Sequence, residues 1–207
     1  QAMRVYGIFL SPVVKTGAHI RYRELLNGLA AKGDEVHLLC PTSVAGHFDK
    51  ASFIPVPSNL ASRNLAYRLW KISKMVKAVP SGEEESRVIV FGEHLVLEGW
   101  VVARRVGARL CLAIRSNFVD AFRQLIRFDR VSWVRRLGRE ARAVRLVLAE
   151  QLVLMLADRV VVQTKYDNKR IGRRAIHRNR NKLRVVPNSI DGSWMQPELR
   201  NQNSSER

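Results

Sequence analysis

The sequence predicts an α/β fold: a Rossmann-like, doubly wound and mainly parallel sheet with helices on both faces. Short apolar segments alternate with amphipathic ones along the chain, and polar or glycine-containing turns separate them. The apolar segments lack the polar alternation of a sheet that has one face in water, so we expect strands covered on both sides. A strand, a glycine-containing loop, a helix and a second strand also follow one another within the first forty or so residues. That order is typical of a right-handed βαβ unit.

This first unit begins with the apolar stretch RVYGIFL and continues into a loop that ends at Gly17. The helix that follows is predicted to stop at Gly33, and EVHLLCP is the second strand. The apolar residues of the helix recur at helical spacing and predict the face that packs on the core. They are Ile20, Leu25, Leu26 and Leu29.

The rest of the chain repeats the alternation of strand and helix. Further strands are predicted at SFIPVP, RVIVF, ARLCLAI, DRVVVQT and KLRVVP, and helices at LAYRLWKISKMVKAV, LVLEGWVVARRVG and KYDNKRIGRRAI. Between Phe118 and Ala157 the pattern predicts two helices with a break near Asp129 or Gly138. Cys40 and Cys111 lie in apolar strands, so we expect both to be buried, reduced thiols.

The charge restricts the class of partner. Thirty-six Lys and Arg against eighteen Asp and Glu leave a net charge of +18, which attracts nucleic acid, anionic lipid or phosphorylated substrates. Nothing resembles a helix-turn-helix or a zinc site, and the acid-free stretch 169–182 has no aromatic residue to stack on bases. These absences disfavour nucleic acid. No metal site is expected from the cysteine spacing.

Ligands of doubly wound sheets bind at the carboxyl ends of the strands, so the residues that follow each strand are the candidate site. Gly17 opens the first helix, where a phosphate could approach backbone N–H groups, although a tight turn would also explain a glycine there. Glu93 and His94 follow the strand RVIVF and could orient a hydroxyl or act as acid or base; a helix cap with a solvated histidine is the alternative.

Arg115, Ser116 and Asn117 follow ARLCLAI. The arginine suits an anionic substrate, and the asparagine also fits a helix cap.

The stretch from Phe118 to Arg145 interleaves arginines with aromatic and aliphatic residues, as in helices that lie on a membrane surface. An ordinary amphipathic helix with its charges in water is the alternative. Because acids are sparse in this stretch, we expect a membrane-facing surface. Its predicted members are Arg123, Arg127, Trp133, Arg135 and Arg136. No apolar run reaches the ~18 residues of a transmembrane helix, so such contact would be peripheral.

Three stretches together resemble the N-terminal domain of group 1, family-4 type glycosyltransferases, which have the GT-B architecture. They are KTGAHIRYRELLNGLAAKGDEVHLL, AEQLVLMLADRVVVQTKYDNKRI and KLRVVPNSIDGSWMQPE. The resemblance extends over about residues 3–197. It implies that residues 3–190 form an acceptor-binding domain and that residues 191–207 begin an interdomain linker. The domain that binds the nucleotide-sugar would lie outside this chain, which alone would be inactive.

The implied activity is transfer of a sugar from a nucleotide-sugar co-substrate to an acceptor, with retention at the anomeric carbon and with no bound metal or other cofactor. The acceptor would be a glycan of the cell envelope or a lipid-linked one. The protein would then be cytoplasmic and peripheral at the inner face of the membrane.

The resemblance also assigns roles to individual residues. Lys15, Thr16 and Gly17 match the loop near the donor diphosphate, with Thr16 where a glycine is usual. His94 matches a histidine near the transferred sugar, and Glu93 would help to orient the acceptor. Residues 115–117 replace a stretch that often holds a histidine and would contact the acceptor. Asn188 matches the asparagine of the interdomain cleft, followed by Ser189 where glycine is usual.

Two alternatives remain open at this stage. One is a non-catalytic basic α/β module that binds nucleic acid or anionic membrane. The other is a GT-B epimerase or phosphorylase, whose distinguishing residues would lie in the second domain.

Overall fold

A computed structural model of the chain describes residues 2–13, 17–48, 50–76, 86–114, 133–175 and 177–186. Within these residues, seven parallel strands form one sheet in the order β3-β2-β1-β4-β5-β6-β7. The strands are β1 (Arg4–Ile8), β2 (Glu35–Pro41), β3 (Ser52–Val56), β4 (Ser86–Phe91), β5 (Arg109–Ile114), β6 (Arg159–Val162) and β7 (Leu183–Val185). The predicted Rossmann-like class is confirmed.

The described helices follow the strands in alternation. They are α1 (Gly17–Ala31), α2 (Thr42–Ala45), α3 (Leu65–Met75), α4 (Val96–Val106), α5 (Trp133–Leu156) and α6 (Lys165–Arg174), with short 3-10 helices at Leu60–Ser62, Glu93–Leu95 and His177–Lys182. The edge strand β3 contains Pro55, which is tolerated there because an edge strand has backbone N–H groups that need no ladder partner. None of the described helices combines the length and apolarity needed to cross a bilayer.

The strand order reverses direction between β1 and β4. The chain builds β2 and β3 on one side of β1, then returns to place β4 on its other side and continues outwards to β7. The last paired residues of these two strands are Gly7 and Ile89. In doubly wound sheets a crevice forms at such a switch point, outside the carboxyl ends of the strands.

The core consists of two hydrophobic layers, one on each face of the sheet. Successive residues of a strand point to opposite faces, and accordingly Val5 packs in one layer while Tyr6 packs in the other. The first layer includes Tyr22 and Leu26 of α1. The second includes buried residues of α3, α4, α5 and α6. Helices therefore cover both faces, as predicted.

The apolar face expected for α1 is partly wrong. Leu26 is fully buried, but Ile20 and Leu25 are each 39% exposed. The buried face instead runs through Tyr22, Leu26 and Leu29 at intervals of four and three residues. Tyr22 belongs to it because its hydroxyl reaches the backbone of the sheet.

Of the two positions predicted for a helix break, Gly138 is excluded, because α5 is continuous from Trp133 to Leu156. Asp129, the other candidate for the break, lies outside the described residues. An exposed glycine inside a helix costs only about 1 kcal/mol relative to alanine, which a long, packed helix can absorb. The buried Glu150 accepts two hydrogen bonds from Arg174, at 2.9 Å and 2.8 Å, and this pair fixes α5 against α6.

Both cysteines are free thiols, but they differ in burial. Cys40 is buried, as expected, whereas Cys111 is only half-buried, so that expectation was wrong for the second thiol. Cys111 points to the sheet face opposite Leu110 and Leu112, and that face is less covered at this position. Burial raises the pKa of the Cys40 thiol to about 11 and also raises that of Cys111. Neither thiol has the lowered pKa of a reactive cysteine.

Candidate functional site

A cavity of about 580 Å³ lies at the switch point, between the carboxyl ends of β1 and β4. Its wall is formed by the chain after β1, by α1, by residues near the start of α3 and by the chain after β4. The lining residues are Ile8, Phe9, Leu10, Ser11, Pro12, His19, Tyr22, Ala61, Arg68, Phe91, Gly92, Glu93, His94 and Leu95. It is mainly apolar with a few converging polar groups, as is usual for a small-molecule site.

The floor of the cavity is fixed by the hydroxyl of Tyr22. This oxygen accepts a hydrogen bond from the backbone N–H of Ile8 at 2.8 Å and donates one to the carbonyl oxygen of Ile89 at 2.6 Å. It thereby joins β1 to β4 where their direct pairing ends. Burial raises the pKa of Tyr22 well above its ordinary value, which keeps the phenol protonated and able to donate.

Gly7 makes this approach of the tyrosine possible. A Cβ at Gly7 would lie 2.9 Å from the Tyr22 hydroxyl and equally close to methyl groups of Leu26 and Leu38. Contacts that short are not tolerated in close-packed interiors. The position therefore requires glycine because of close approach, and not because of its backbone angle.

His94 is positioned by the turn that leaves β4. Gly92 has φ of 94°, and its N–H donates to the carbonyl of Ala113 at 2.9 Å, which anchors the turn to β5. The chain then enters the 3-10 helix Glu93–Leu95 and α4. His94 is exposed as a whole residue, but its ring packs against Gly92 and lines the cavity, and these contacts remove part of the ring's hydration.

The protonation state of His94 follows from its neighbours. Desolvation by the surrounding protein lowers its pKa most; the carboxylate of Glu98 raises it, and the charges of Arg68 and His19 lower it. The net direction is downwards, so the neutral imidazole is favoured. A neutral imidazole can donate a hydrogen bond from one nitrogen and accept one at the other.

Glu93 is half-buried beside His94. Its Oε2 is buried and makes no hydrogen bond to any described residue. Burial raises the pKa of Glu93, a hydrogen bond from its own backbone lowers it, and Glu150 raises it further. A carboxyl group with a raised pKa in a cavity wall is a candidate acid or base, or a hydrogen-bonding group for a substrate hydroxyl.

Arg68 supplies a fixed cation at the cavity. Its Nη2 lies 2.8 Å from Oε1 of Glu98, a carboxylate that is fully buried in α4. Its Nη1 donates to the carbonyl oxygen of Ala61 at 3.1 Å. The guanidinium is therefore held by two elements while it lines the cavity.

Among the residues predicted as functional, Glu93 and His94 are brought together in this cavity, and Gly17 begins α1 two residues before the cavity-lining His19. Several others lie outside the described residues: Lys15, Thr16, Arg115, Ser116, Asn117, Arg123, Arg127 and Asn188. Trp133, Arg135 and Arg136 lie in the first turn of α5, where only the backbone is described. The roles assigned to all of these residues stay predictions.

Sequence reasoning missed three polar residues of the lining: His19, Tyr22 and Arg68. His19 and Tyr22 lie on a helix whose inward face was assigned from aliphatic residues alone. Arg68 shares a face of α3 with the fully buried Ile72, four residues later. An arginine on the buried side of an amphipathic helix was the available signal, since such a residue needs a partner.

No three described His, Cys, Asp or Glu side chains are grouped so that they could hold a metal ion. An all-parallel sheet that reverses its order between β1 and β4, with a cavity at that point, defines a Rossmann-like ligand-binding domain. The family model of the Glycosyl transferase 4-like domain matches residues 16–189, and the chain belongs to this family. No curated protein sequence matches it significantly.

Solved structures of glycosyltransferases share the fold. Sucrose-phosphate synthase from Thermosynechococcus elongatus superposes with a TM-score of 0.58 at 15% identity, over 91% of this chain and 49% of that one. Anabaena Alr3699/HepE in complex with UDP-glucose gives 0.53 at 11% identity, over 98% and 50%. TcCGT1 in complex with UDP gives 0.52 at 15% identity, over 100% and 56%.

The chain thus spans about half the length of these structures. The resemblance to family-4 glycosyltransferases is confirmed by the family match, and the fold shared with solved glycosyltransferase structures agrees with it.

Proposed function

We propose that the chain is the acceptor-binding half of a retaining glycosyltransferase, which transfers a sugar from a nucleotide-sugar to a lipid-linked acceptor or a cell-envelope glycan. The observation that carries this proposal is the cavity at the switch point, with Glu93 and His94 in its wall, in a chain of the glycosyltransferase 4-like family. Neighbouring folds in complex with UDP or UDP-glucose support a nucleotide-sugar as co-substrate.

His94 and Glu93 are the proposed positioning groups for the reacting sugar and the acceptor hydroxyl. The lowered pKa of His94 favours an imidazole that can both donate to and accept from sugar hydroxyls. The raised pKa of Glu93 lets its carboxyl group share a proton with the acceptor oxygen. Arg68, whose charge is balanced by Glu98 at 2.8 Å, would contribute guanidinium N–H groups that can donate hydrogen bonds to a leaving diphosphate or an anionic acceptor.

The diphosphate is proposed to lie near the N-terminus of α1. Gly17 begins this helix, and a helix N-terminus favours anions through its N–H groups and dipole. Lys15 and Thr16, which precede the helix, are proposed as further contacts of the diphosphate. Residues 115–117 are proposed to contact the acceptor. Asn188 is proposed to lie in the interdomain cleft.

The nucleotide is proposed to be held by a second domain that follows the linker at residues 191–207. The chain covers about half of the neighbouring structures, which supports a division into residues 3–190 and a separate donor-binding half. The isolated chain would accordingly be inactive.

The protein is further proposed to be cytoplasmic and to lie at the inner face of the membrane. Its proposed membrane-facing residues are Arg123, Arg127, Trp133, Arg135 and Arg136.

The test uses the longer protein that includes the proposed second domain. We expect it to bind a nucleotide-sugar from a panel, measured by calorimetry, and to turn it over, with His94→Ala lowering turnover about a hundredfold. Leu25→Gln, on the exposed side of α1, should leave turnover unchanged. Failure to bind any nucleotide-sugar, together with retention of duplex or single-stranded nucleic acid at physiological salt, would overturn the proposal in favour of the basic-module alternative.

A further inference from the structure

A second cavity lies at the amino end of the sheet, opposite the end that holds the candidate site. Its volume is about 310 Å³, which is at the small end of the range for small-molecule sites. Arg87 is the second residue of β4, and Arg109 and Arg159 are the first residues of β5 and β6. Cys111 and Asp158 complete the lining that the structure describes. Three adjacent strands therefore contribute one arginine each to one small concave site.

The register of the sheet places the three arginines on the same face. The residue after each arginine is buried in the core layer that includes α4 and α5; these residues are Val88, Leu110 and Val160. Because side chains alternate along a strand, Arg87, Arg109 and Arg159 point to the other face. Arg87 is the register partner of Arg109, and Cys111 is that of Arg159. The cysteine thus lies between two of the arginine-bearing strands.

This arrangement brings like charges together. Neighbouring strands lie about 4.8 Å apart, and Arg87 stands directly beside Arg109. Like charges opposite each other on adjacent strands destabilise a sheet. Arg87 is also half-buried, which removes part of the hydration of its charge. An anion held between the guanidinium groups would offset both costs.

Asp158 is the one acid among the described residues of the lining. Its Oδ2 accepts a hydrogen bond from the N–H of Leu110 at 2.8 Å, and its own N–H donates to the carbonyl oxygen of Leu110 at 2.9 Å. These bonds fix the aspartate between β5 and β6. One carboxylate therefore faces three guanidinium groups, and the described lining carries an excess of two positive charges.

The thiol of Cys111 responds to all of these charges. Burial raises its pKa most; Arg87 lowers it, Asp158 raises it, and Arg159 and Arg109 lower it. Four charged groups from three strands act on one sulfur atom, as expected if they surround the same space. Cys111 is therefore a built-in reporter on the occupancy of this cavity.

We propose that this cavity binds a small dianionic phosphate, as inorganic phosphate or as a phosphate monoester, between the guanidinium groups of Arg87, Arg109 and Arg159. Guanidinium groups match phosphate oxygens in a bidentate fork. A phosphate monoester carries nearly two negative charges at neutral pH, which matches the excess charge of the lining. A phosphodiester carries one and would leave a positive charge uncompensated.

This site goes beyond the proposed function and does not depend on it. The proposed sugar-transfer groups Glu93 and His94 follow the carboxyl end of β4, whereas Arg87 lies at the amino end of the same strand. A ligand bound beside Arg87 is therefore separated from the switch-point cavity by the length of β4.

The first test is calorimetry of the purified chain with inorganic phosphate, glycerol 3-phosphate and dimethyl phosphate at low ionic strength. We expect the first two to bind and the diester to bind at least about tenfold more weakly. Arg109→Gln/Arg159→Gln should weaken phosphate binding about tenfold or more, because two charge-assisted contacts are lost. The control with the same change in net charge is Arg105→Gln/Arg145→Gln, which removes two exposed arginines from α4 and α5. It should bind phosphate as the wild type does.

The second test locates the bound ion through the two cysteines of the chain. Cys111 is half-buried and Cys40 is buried. Saturating phosphate should slow alkylation of Cys111 by iodoacetamide severalfold, measured by mass spectrometry, and this protection should be absent in Arg109→Gln/Arg159→Gln. Alkylation of Cys40 would reveal a variant that has unfolded. In that case Arg109→Lys/Arg159→Lys decides, because it keeps the charge, loses the fork and should bind with intermediate affinity.

Three results would overturn the inference. They are no phosphate binding by the wild type, binding that leaves the alkylation rate of Cys111 unchanged, and equal weakening in the control variant. Equal affinity for dimethyl phosphate would overturn the assignment of a dianion. Turnover of a nucleotide-sugar by the longer protein tests the proposed function separately, and none of these results bears on it.

Discussion

The imidazole of His94 packs against the α-carbon of Gly92. A Cβ on Gly92 would lie 2.7 Å from Cε1 and 2.8 Å from Nδ1 of that ring. Gly92 also has φ of 94°, a backbone conformation that other residues rarely adopt. The His94 ring can therefore take this position only because residue 92 is a glycine.

Replacement of Gly92 by alanine should displace His94. We expect turnover of the longer protein to fall about tenfold to a hundredfold, because small misplacements of reacting groups are costly, and stability to fall by about 1–3 kcal/mol from backbone strain. Gly107→Ala is the matched control, since Gly107 also has positive φ but a Cβ added there would meet nothing within 4 Å. It should lose stability and keep activity. Equal losses of activity in both variants would show that the contact with His94 is irrelevant.

Tyr22→Phe should destabilise the domain without changing its shape. The substitution removes the hydroxyl that bridges Ile8 and Ile89 and leaves the buried N–H of Ile8 and the part-buried carbonyl of Ile89 without that partner. The free energy of unfolding, measured in urea, should fall by about 1–3 kcal/mol. Tyr166→Phe, at a 58% exposed position, should change stability by less than about 0.5 kcal/mol. If Tyr22→Phe behaved like this control, the bridge would contribute nothing to the joint between β1 and β4.

The pair of Arg68 and Glu98 predicts a non-additive double-mutant cycle. Arg68→Met leaves the fully buried carboxylate of Glu98 unpaired and should cost about 3–5 kcal/mol in thermal or urea unfolding. Adding Glu98→Gln should recover part of this loss, because the buried charge is then gone. Arg63→Met, at an exposed position, should be near neutral. Losses that simply add in the double variant would contradict a direct pair.

The order of strands and helices could be predicted because the information is local. Apolar runs indicate the strands, helical spacing indicates the helices, and the rule that ligands bind at strand ends points to Glu93 and His94. Gly92 belongs to the same strand end. Its contact with the His94 ring, however, depends on a turn anchored to Ala113, twenty-one residues away, which no local pattern contains.

The missed residues depend on tertiary contacts in the same way. Tyr22 points inward because Gly7 leaves room for its hydroxyl. Gly7 lies in β1 and Tyr22 in α1, so no pattern within either element predicts this contact. Arg68 is inward because it pairs with Glu98 of α4. The exposure of Leu137, Val144 and Leu148 on α5 could not be predicted from the sequence, because periodicity alone does not distinguish a core-facing apolar stripe from a solvent-facing one.

The lowered pKa of His94 predicts a specific loss of stability on acidification. Above its ordinary pKa of 6.5 the ring is neutral in both the folded and the unfolded state. As pH falls below 6.5, the unfolded chain protonates first because the folded ring is desolvated. The free energy of unfolding should therefore decrease through the window between 6.5 and the lower native pKa.

His94→Gln should remove this contribution. Urea unfolding between about pH 7 and pH 5 should show a smaller decrease in stability for His94→Gln than for the wild type, and Leu25→Gln should follow the wild type because it changes no titrating group. The raised pKa of Glu93 has the opposite effect: above pH 4.5 it makes the folded state more stable as pH falls. This effect is present in both proteins, so the difference in stability between them reports on His94. The direct check is the Cε1 proton of His94 in a magnetic-resonance titration. A midpoint at or above 6.5 would contradict the desolvated, neutral imidazole on which its proposed role depends.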